Sequence, residues 1–296
     1  MTAVARIADT QSSADGDDLA AAPPAVAEGH LVSGRYRLRD RLGVGGMGEV
    51  WLADDLLLHR PVALKRNYLI AEDDDPAALR EGRAGARIAH PGVVRVHDIS
   101  LDLDGNAWIV MEALEGETLK EILLERGRLS LDEVVVIGLQ LLSALQAIHA
   151  EGLVHRDVKP GNIHVCEQRR VVLTDFGLTT PPGTWGGLLA GSGTVAGSLP
   201  YLAPESILHG QFGPASDLYA LGVTLYRAVE GRRPFDPCWP LEGLEPAEAA
   251  PMQYAGRVGP VITGLLDPDP TRRLDAAEAI SRLEAMTLVA AMSWAG

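Results

Sequence analysis

The stretch that decides the fold lies near the middle of the chain and reads His155-Arg156-Asp157-Val158-Lys159-Pro160-Gly161-Asn162. Two triplets follow it in order, Asp175-Phe176-Gly177 and Ala203-Pro204-Glu205. An Asp can orient an attacking hydroxyl, a Lys two residues on can neutralise a moving phosphate, and an Asn three further can hold a metal ion. A second Asp supplies another hard oxygen ligand of the kind that Mg²⁺ prefers. The combination indicates phosphoryl transfer.

A glycine-rich segment, Gly43-Val44-Gly45-Gly46-Met47-Gly48, stands upstream between the predicted strands Tyr36–Leu42 and Glu49–Ala53. Glycines let a backbone turn tightly and bring its N–H groups close to phosphate oxygens. A strand follows the segment rather than a helix, and no Lys-Ser/Thr pair closes it, which excludes a Rossmann fingerprint and a Walker A loop. The segment predicts either a phosphate-covering loop or a plain hairpin turn.

A lysine in an apolar strand is the next signal. The predicted strand Pro61–Arg66 contains Ala63, which is small enough to lie over a flat base, and Lys65, which can reach a phosphate. The predicted helix Pro76–Ala89 carries Glu81, which can pair with Lys65. A lone strand lysine also fits a solvated edge position, so the spacing alone leaves both interpretations open.

The hydrophobic pattern predicts an α+β protein. The first ~110 residues are predicted to form a mostly antiparallel sheet with one helix, and the later part is predicted to be mainly helical. Ser130 with Glu133 three residues on predicts a capping box at the start of a long helix, Leu131–Ala150. The other predicted elements are the strands Val93–Ile99, Ala107–Glu112, Ile163–Val165 and Val171–Thr174, and the helices Ser216–Glu230, Ala255–Leu266 and Asp275–Leu288.

Composition limits the possible function classes. The 296 residues carry a formal net charge of −14, which disfavours nucleic-acid binding. Two cysteines, Cys166 and Cys238, exclude a disulfide framework and favour a reducing compartment. No stretch reaches the ~18 apolar residues of a membrane span, so a cytoplasmic location is expected. Residues 1–32 are predicted to be a disordered acidic tail.

Taken together, the motifs resemble those of the protein kinases, in particular the eukaryotic-like Ser/Thr protein kinases of bacteria. The resemblance covers about residues 33–288 and includes Gly34-Arg35-Tyr36 and Pro234-Phe235-Asp236. It implies a bilobal fold, with an N-lobe sheet and one main helix over 33–112, a mainly helical C-lobe over 116–288, and a tail over 289–296.

The resemblance also implies a role for each matching residue. Lys65 is expected to position the phosphates of ATP with Glu81 as its ion-pair partner, while Asp157 accepts or orients the proton of the substrate hydroxyl. Lys159 is expected to contact the γ-phosphate, and Asn162 and Asp175 to bind Mg²⁺. The implied ATP-binding residues are Leu42, Gly43, Gly45, Gly46, Gly48, Val50, Ala63, Lys65, Met111, Glu112, Leu114 and His164. The implied structural pairs are Asp217 with the catalytic loop and Arg273 with Glu205.

The function implied by the resemblance is transfer of the ATP γ-phosphate to Ser/Thr hydroxyls of proteins in signal transduction, with autophosphorylation and possible homodimerisation. Two alternatives stand beside it. A pseudokinase that only binds partners is expected to lack Lys65, Asp157, Asn162 or Asp175, and all four are present. A small-molecule phosphotransferase on a related fold is disfavoured by the C-lobe signature formed by Glu205, Asp217 and Arg273.

Three features depart from the family pattern. His164 stands where an apolar residue normally packs beneath adenine, which gives the hypothesis that its protonation weakens ATP binding. Gly85, four residues after Glu81, predicts a mobile helix whose contact with Lys65 needs support. The segment between Asp175 and Glu205 has no charged residue. Its candidate phosphosites, whose phosphate would pair with Arg156, are Ser192, Thr194 and Thr184.

Overall fold

The computed structural model describes residues 26–45, 48–67, 77–177, 179–180, 182, 199–235 and 248–292. The chain divides into two compact units. The first unit comprises Met1–Arg87 and Val94–Glu117, and the second comprises Ile88–Val93 and Thr118–Gly296. The first is built on an antiparallel sheet and the second is mainly helical, as the α+β expectation requires.

The first unit contains a six-stranded sheet in the order β1-β2-β3-β4-β6-β5, with antiparallel pairing throughout. The one helix among the described residues of this unit, α1 (Ala77–Ala86), packs against β4, β5 and β6. The strands are β1 (Leu31–Val32), β2 (Tyr36–Gly45), β3 (Gly48–Asp55), β4 (Arg60–Asn67), β5 (Val96–Leu101) and β6 (Ala107–Glu112).

Apolar residues on both faces of this sheet are buried, because successive side chains of a strand point to opposite sides. In β4, Val62 and Leu64 belong to the larger core cluster, whereas Ala63 between them belongs to a second cluster. In β3, Trp51 and Leu52 are divided between the two clusters in the same way. The larger cluster comprises Val32, Tyr36, Leu38, Trp51, Ala53, Val62, Leu64, Trp108 and Val110.

A partly buried ion pair joins Arg35, which immediately precedes β2, to Asp55 at the end of β3. Arg35 donates from Nε and Nη2 to the two carboxylate oxygens of Asp55 at 2.9 and 2.7 Å. The backbone N–H groups of Leu57 and Leu58 also donate to Asp55. The hydrogen bond from Arg35 is the main cause that lowers the pKa of Asp55 from 3.8 to about 2.

The end of the N-terminal tail differs from the sequence prediction. Residues 31 and 32 form β1, which pairs with β2, and Val26 packs against the larger core cluster. The backbone of Gly29 donates to Leu38 O at 2.8 Å, and Leu38 N donates to His30 O at 2.9 Å. Because these residues satisfy backbone hydrogen bonds and cover the core, the predicted disordered tail cannot extend to residue 32.

The second unit is built around a long helix, α3 (Leu131–Ala150), which packs against α5, α7 and β9. Its other helices are α2 (Leu119–Arg126), α4 (Pro204–His209), α5 (Pro214–Glu230), α6 (Gly259–Leu265) and α7 (Ala276–Met292). The strands β8 (Ile163–Val165) and β9 (Val171–Leu173) pair antiparallel, and the short strand β7 (Glu117–Thr118) lies where the chain passes from one unit to the next.

The start of α3 confirms the predicted capping box. Ser130 accepts from the backbone N–H of Glu133, and the Glu133 side chain accepts from the backbone N–H of Ser130. The sequence predicted no stretch apolar enough to span a membrane, but in the described part of the chain α3 alone has the length and apolar composition that a membrane-spanning helix needs. Half of that apolar window is buried within the protein, as in the central helix of a packed core.

Several predicted boundaries are wrong. Residues 88–93 belong to the second unit, not the N-lobe, because His90 contacts Ser143 and Gly92 O accepts from Leu173 N. The helix predicted over 255–266 is a 3₁₀ turn (Gly256–Val258) followed by α6, which carries Pro260 in its first turn. The helix α7 extends to Met292, so the predicted tail from residue 289 begins too early.

Candidate active site

Lys65 and Glu81 form the ion pair that the sequence predicted. Lys65 Nζ lies 2.7 Å from Glu81 Oε1, and both side chains are buried, with 7% and 6% of their surface exposed. Asn67, two residues after Lys65 on the same face of β4, donates from Nδ2 to Glu81 Oε2 at 2.9 Å. Glu81 is therefore held at both of its carboxylate oxygens by side chains of one strand.

The helix that carries Glu81 approaches the sheet closely at Gly82. A Cβ at this position would lie 2.7 Å from Ile99 Cδ1 and 2.8 Å from Ile99 Cγ1. The glycine weakens the helix intrinsically but lets α1 dock against β5. Gly85 is also buried in α1. That Gly85 makes α1 mobile stays a prediction.

The described glycines of the glycine-rich segment lie at the end of β2 and the start of β3, with Gly45 opposite Gly48. A Cβ at Gly48 would lie 2.1 Å from the carbonyl oxygen of Arg66, so only glycine fits where β3 passes β4. Space around the Cβ position of Gly45 is open to 4 Å. Gly43 pairs with Val50, and Gly46 lies outside the described residues.

Four of the predicted ATP-binding residues meet in the smaller apolar cluster. Leu42, Leu52 and Ala63 are its buried members, and the half-buried Val50, Met111 and Ala113 pack against them. Of the other predicted residues near the end of β6, Glu112 accepts from Arg95 N at 2.8 Å, and Leu114 is half-buried. The cluster is an apolar surface of the kind that receives a flat base.

In the second unit, the catalytic-loop residues converge on one carboxylate oxygen. Lys159 Nζ and Asn162 Nδ2 donate to Asp157 Oδ2 at 2.7 and 2.8 Å. Asn162 Nδ2 also donates to the backbone oxygen of Asp157 at 2.9 Å. Asp157 is 4% exposed, and Lys159 is the more accessible of the pair. A carboxylate fixed in this way can orient a hydroxyl and accept its proton.

Asp217 braces the backbone of this loop from α5. Its two oxygens accept from the backbone N–H groups of His155 and Arg156 at 2.9 and 2.8 Å. The side chain of His149, at the end of α3, also lies 2.8 Å from Asp217 Oδ2. Arg156 has a φ of 70°, a left-handed conformation that costs a non-glycine residue free energy. The two backbone hydrogen bonds stabilise that conformation.

Asp175 is brought next to Asn162 through its neighbour in the chain. Thr174 donates to the backbone oxygen of Asn162 from its N–H at 2.9 Å and from Oγ1 at 3.1 Å. Asp175 has a φ of 67°, and its Oδ1 accepts from Gly177 N at 3.2 Å. His155 helps to fix this segment, because it contacts Thr174 O at 3.1 Å and packs edge-on against Phe176 at 5.2 Å.

The donor set fits Mg²⁺. The Asn162 amide directs its N–H₂ group to Asp157, so its oxygen is the atom that can serve a cation, and Asp175 adds a carboxylate. Mg²⁺ prefers oxygen ligands, needs few protein groups and keeps several waters. Within the described ranges there is no group of three or more His, Cys, Asp or Glu that could hold a metal ion. A site with two protein ligands is consistent with that result.

Arg156 faces residues of the segment that follows Asp175. Its Nη1 donates to Thr180 Oγ1 at 3.3 Å, and its guanidinium lies 3.8 Å from the ring centroid of Phe212. Burial lowers the pKa of Arg156 from its ordinary value, and the negative charge of Asp217 acts in the opposite direction. The candidate phosphosites Ser192, Thr194 and Thr184 lie outside the described residues.

The predicted pair of Arg273 and Glu205 is confirmed. Arg273 Nη1 and Nη2 donate to Oε1 and Oε2 of Glu205 at 2.7 and 3.0 Å. Ser216 Oγ donates to Glu205 Oε1 at 3.0 Å, and Arg273 also donates to Ala215 O and Asp267 O. This buried network ties the start of α4 to the start of α5.

The remaining predicted residue, His164, is a buried residue of β8 in the second unit, 6% exposed and opposite Val172. The effect of its protonation on ATP affinity stays a prediction. Sequence reasoning missed the contacts of Asn67 and His149. The position of Asn67 two residues after Lys65 was a usable signal, because it places both side chains on one face of β4.

Comparison with known proteins gives a family and several relatives. The protein kinase domain model matches residues 36–282. Serine/threonine-protein kinase PknA of Mycobacterium tuberculosis is 44% identical over 216 residues, which is 70% of this chain and 49% of the relative. PrkC of Bacillus subtilis is 37% identical over 70% of this chain and 32% of its own length. PksC of Streptomyces coelicolor is 36% identical over 84% of this chain and 48% of its own length.

The chain thus spans about half the length of the mycobacterial and Streptomyces relatives and about a third of the Bacillus relative. The matched region contains the Lys65–Glu81 pair, the catalytic loop with Asp157, and the Glu205–Arg273 pair. A family model that covers most of the chain, with these contacts formed, leaves one conclusion: this chain belongs to the protein kinase domain family.

Proposed function

We propose that the chain is a Ser/Thr protein kinase that transfers the γ-phosphate of ATP to hydroxyl groups of proteins, including its own activation segment. The observation that carries the proposal is the convergence of Lys159 and Asn162 on Asp157 Oδ2, at 2.7 and 2.8 Å. A carboxylate held by two donors is oriented before the substrate arrives, and positioning is the main contribution of a protein to phosphoryl transfer.

The contacts support a separate role for each residue of the site. Asp157 orients the acceptor hydroxyl and takes its proton, and Lys159 supplies positive charge beside it. Asn162 and Asp175 would hold Mg²⁺, which when bound neutralises charge on the phosphate oxygens. Lys65, fixed by Glu81, contacts the phosphates, and the apolar cluster around Ala63 receives the adenine.

Four further properties of this chain stay predictions. These are autophosphorylation of the segment between Asp175 and Glu205, homodimerisation, the lack of affinity for nucleic acid, and the cytoplasmic location. The observed network at Arg156 supports a role for that residue toward the activation segment, because Arg156 already contacts Thr180.

The test is transfer of radiolabelled phosphate from ATP to the protein itself and to a general protein acceptor. Asp157→Asn keeps the size of the side chain but removes the base, so we expect a loss of at least about a hundredfold in rate. Asp40→Asn, an identical change at an exposed strand position, is the matched control and is expected to keep the wild-type rate.

Nucleotide affinity, measured on the same variants, separates the alternatives. Wild-type protein that binds magnesium-ATP but labels nothing would contradict the kinase proposal and favour a binding module. Equal labelling by wild type and Asp157→Asn would contradict the role assigned to Asp157.

A further inference from the structure

Arg227, in the last turn of α5, is a cation whose side chain donates to a neutral phenol. Its Nη1 donates to the Tyr201 hydroxyl at 2.7 Å, and among the described residues this is the one polar contact of its side chain. Five other arginines of the second unit pair with carboxylates, whereas Arg156 and Arg232, like Arg227, donate to uncharged oxygens. Those pairs are Arg126–Glu133, Arg257–Asp132, Arg272–Asp267, Arg273–Glu205 and Arg282–Glu278.

Tyr201 connects this cation to the catalytic carboxylate. Tyr201 is 6% exposed and belongs to a 3₁₀ turn (Leu199–Tyr201) just before Ala203-Pro204-Glu205. It lines one small cavity together with Arg156 and Asp157. Arg227 therefore contacts a residue that lines the same cavity as Asp157.

The same helix fixes the position of Arg227 relative to the catalytic loop. Asp217, in the first turn of α5, holds the backbone of His155 and Arg156, and Arg227 follows ten residues later. Ten residues of helix span about 15 Å. An extended peptide covers that distance in about four or five residues. Because Asp217 holds the backbone next to Asp157, a peptide with its hydroxyl at Asp157 can place a side chain about four or five residues away near Arg227.

Arg227 carries a positive charge in an acidic protein. The chain carries a net charge of −14, yet Arg227 is only partly buried and no carboxylate of the described residues neutralises it. A guanidinium has five donors in a fixed fork that matches a carboxylate or a phosphate group. The bond to Tyr201 uses one of its nitrogens and holds the fork in place.

We infer that Arg227 is a specificity-determining residue that binds an anionic side chain, carboxylate or phosphate, of the protein substrate within about four residues of the phosphoacceptor. The inference rests on the proposed kinase function. It assigns the substrate class as acceptor hydroxyls with a nearby Asp, Glu or phosphorylated residue.

The experiment is a scan of Ser-containing peptides in which Asp, phosphoserine, Ala or Lys occupies each of the four positions on either side of the acceptor. We expect at least one position where Asp exceeds Lys by about tenfold in kcat/KM, the scale of one charge-assisted hydrogen bond. A higher kcat/KM for phosphoserine than for Asp at that position would identify phosphate as the preferred anion. Equal values would mean that Arg227 recognises negative charge without distinguishing phosphate from carboxylate.

Three variants test the assignment to Arg227. Arg227→Glu is expected to reverse the preference at that position so that Lys exceeds Asp, and Arg227→Gln to abolish it. Tyr201→Phe removes the hydrogen bond but keeps the cation, so the preference for Asp is expected to keep its sign. Arg282→Glu makes the same charge change on α7 and is expected to leave the preference as in wild type.

The outcomes separate this inference from the proposed function. If wild type phosphorylates the peptides without preference for an anion at any position, the inference is wrong and the kinase function stands. A preference that survives in Arg227→Glu also overturns it. If wild type phosphorylates neither the peptides nor a general protein acceptor, the proposed function fails first. Because the wild-type scan alone can overturn the inference, it stays testable even if a variant does not fold.

Discussion

Asn67 and Glu81 are joined by a hydrogen bond of 2.9 Å from the Asn67 amide to Glu81 Oε2. The other carboxylate oxygen of Glu81 accepts from Lys65 at 2.7 Å, so both oxygens are held. Both donors belong to β4, and the acceptor belongs to α1. The helix is thus attached to the sheet through two polar contacts at one residue. This arrangement is relevant to a helix that contains the two glycines Gly82 and Gly85, because each lowers its intrinsic stability.

Replacement of Asn67 is expected to loosen this attachment. Asn67→Asp puts a second carboxylate beside Glu81, which competes for Lys65, so we expect kcat/KM for ATP to fall by about tenfold. Asn67→Leu leaves a buried oxygen of Glu81 without that donor, at a cost of about 1–3 kcal/mol in the free energy of unfolding. Steady-state kinetics and chemical denaturation measure the two effects.

The matched control for Asn67→Asp is Asn106→Asp. Asn106 also donates its amide to a carboxylate of the first unit, Asp102, but at the turn between β5 and β6. We expect this variant to lose stability while it keeps the wild-type kcat/KM for ATP. If Asn67→Asp keeps wild-type kinetics as well, Asn67 does not position Glu81.

The Arg35–Asp55 pair predicts a pH dependence of stability. The folded protein holds the pKa of Asp55 at about 2, below its ordinary value of 3.8. A carboxyl group with a lowered folded-state pKa contributes stability above its unfolded pKa and loses it as the pH falls through the folded value. We expect the free energy of unfolding to fall between about pH 4 and pH 2.

Asp55→Asn and Arg35→Gln test this assignment. Both variants are expected to be less stable than wild type at pH 7 and to show a shallower decline between about pH 4 and pH 2. Denaturant unfolding at a series of pH values measures the slopes. A variant slope as steep as that of wild type would assign the acid sensitivity to other carboxyl groups.

The close approach of Gly48 to the backbone of Arg66 predicts that a side chain at residue 48 destabilises the protein. A Cβ at Gly48 would lie 2.1 Å from the carbonyl oxygen of Arg66. Because that oxygen belongs to the backbone of β4, relieving the clash would distort the strand. We expect Gly48→Ala to lower the free energy of unfolding by more than about 1 kcal/mol, the ordinary scale for a strained glycine replacement. The melting temperature is a direct readout.

Gly45→Ala is the control for that substitution, because the Cβ position of Gly45 has no atom within 4 Å. It is expected to change the melting temperature little. Equal destabilisation by both alanines would mean that the loop needs flexibility at both positions rather than close packing at Gly48.

The buried pair of Arg273 and Glu205 predicts a non-additive double-mutant cycle. Arg273→Met or Glu205→Gln alone leaves the partner without its full set of contacts, at a cost of about 3–5 kcal/mol. The double variant removes both charges, so we expect it to be more stable than the sum of the single effects predicts. Additive effects would contradict direct coupling between the two side chains.

The sequence predicted those parts of the fold that depend on local pattern. The boundaries of β6, α3 and β8 were correct, since alternation and the capping box at Ser130 are visible in the sequence itself. Two short helices, α2 and α4, were missed because eight and six residues give too little periodicity. The capping box of Thr118 and Glu121 at the start of α2 was an available signal.

The site was predictable where motifs fix it and not elsewhere. Lys65, Glu81, Asp157 and Asn162 could be assigned by resemblance. The structure pairs Lys65 with Glu81 as expected, and the roles of Asp157 and Asn162 stay predictions. The bonds of Asn67 to Glu81 and of Arg227 to Tyr201 join residues that are 14 and 26 positions apart, and neither belongs to a motif. Such contacts depend on how the elements pack, which residue spacing does not encode.

The apolar length of α3 has a consequence for biosynthesis. Its residues leave the ribosome 64 positions ahead of α5 and 126 ahead of α7, the two helices that cover it. At roughly 5–20 residues per second, the segment waits about 6–25 seconds for its last partner helix. During that interval the apolar surface of α3 is exposed on the nascent chain. We therefore expect α3 to be the segment of the nascent chain that most needs a chaperone.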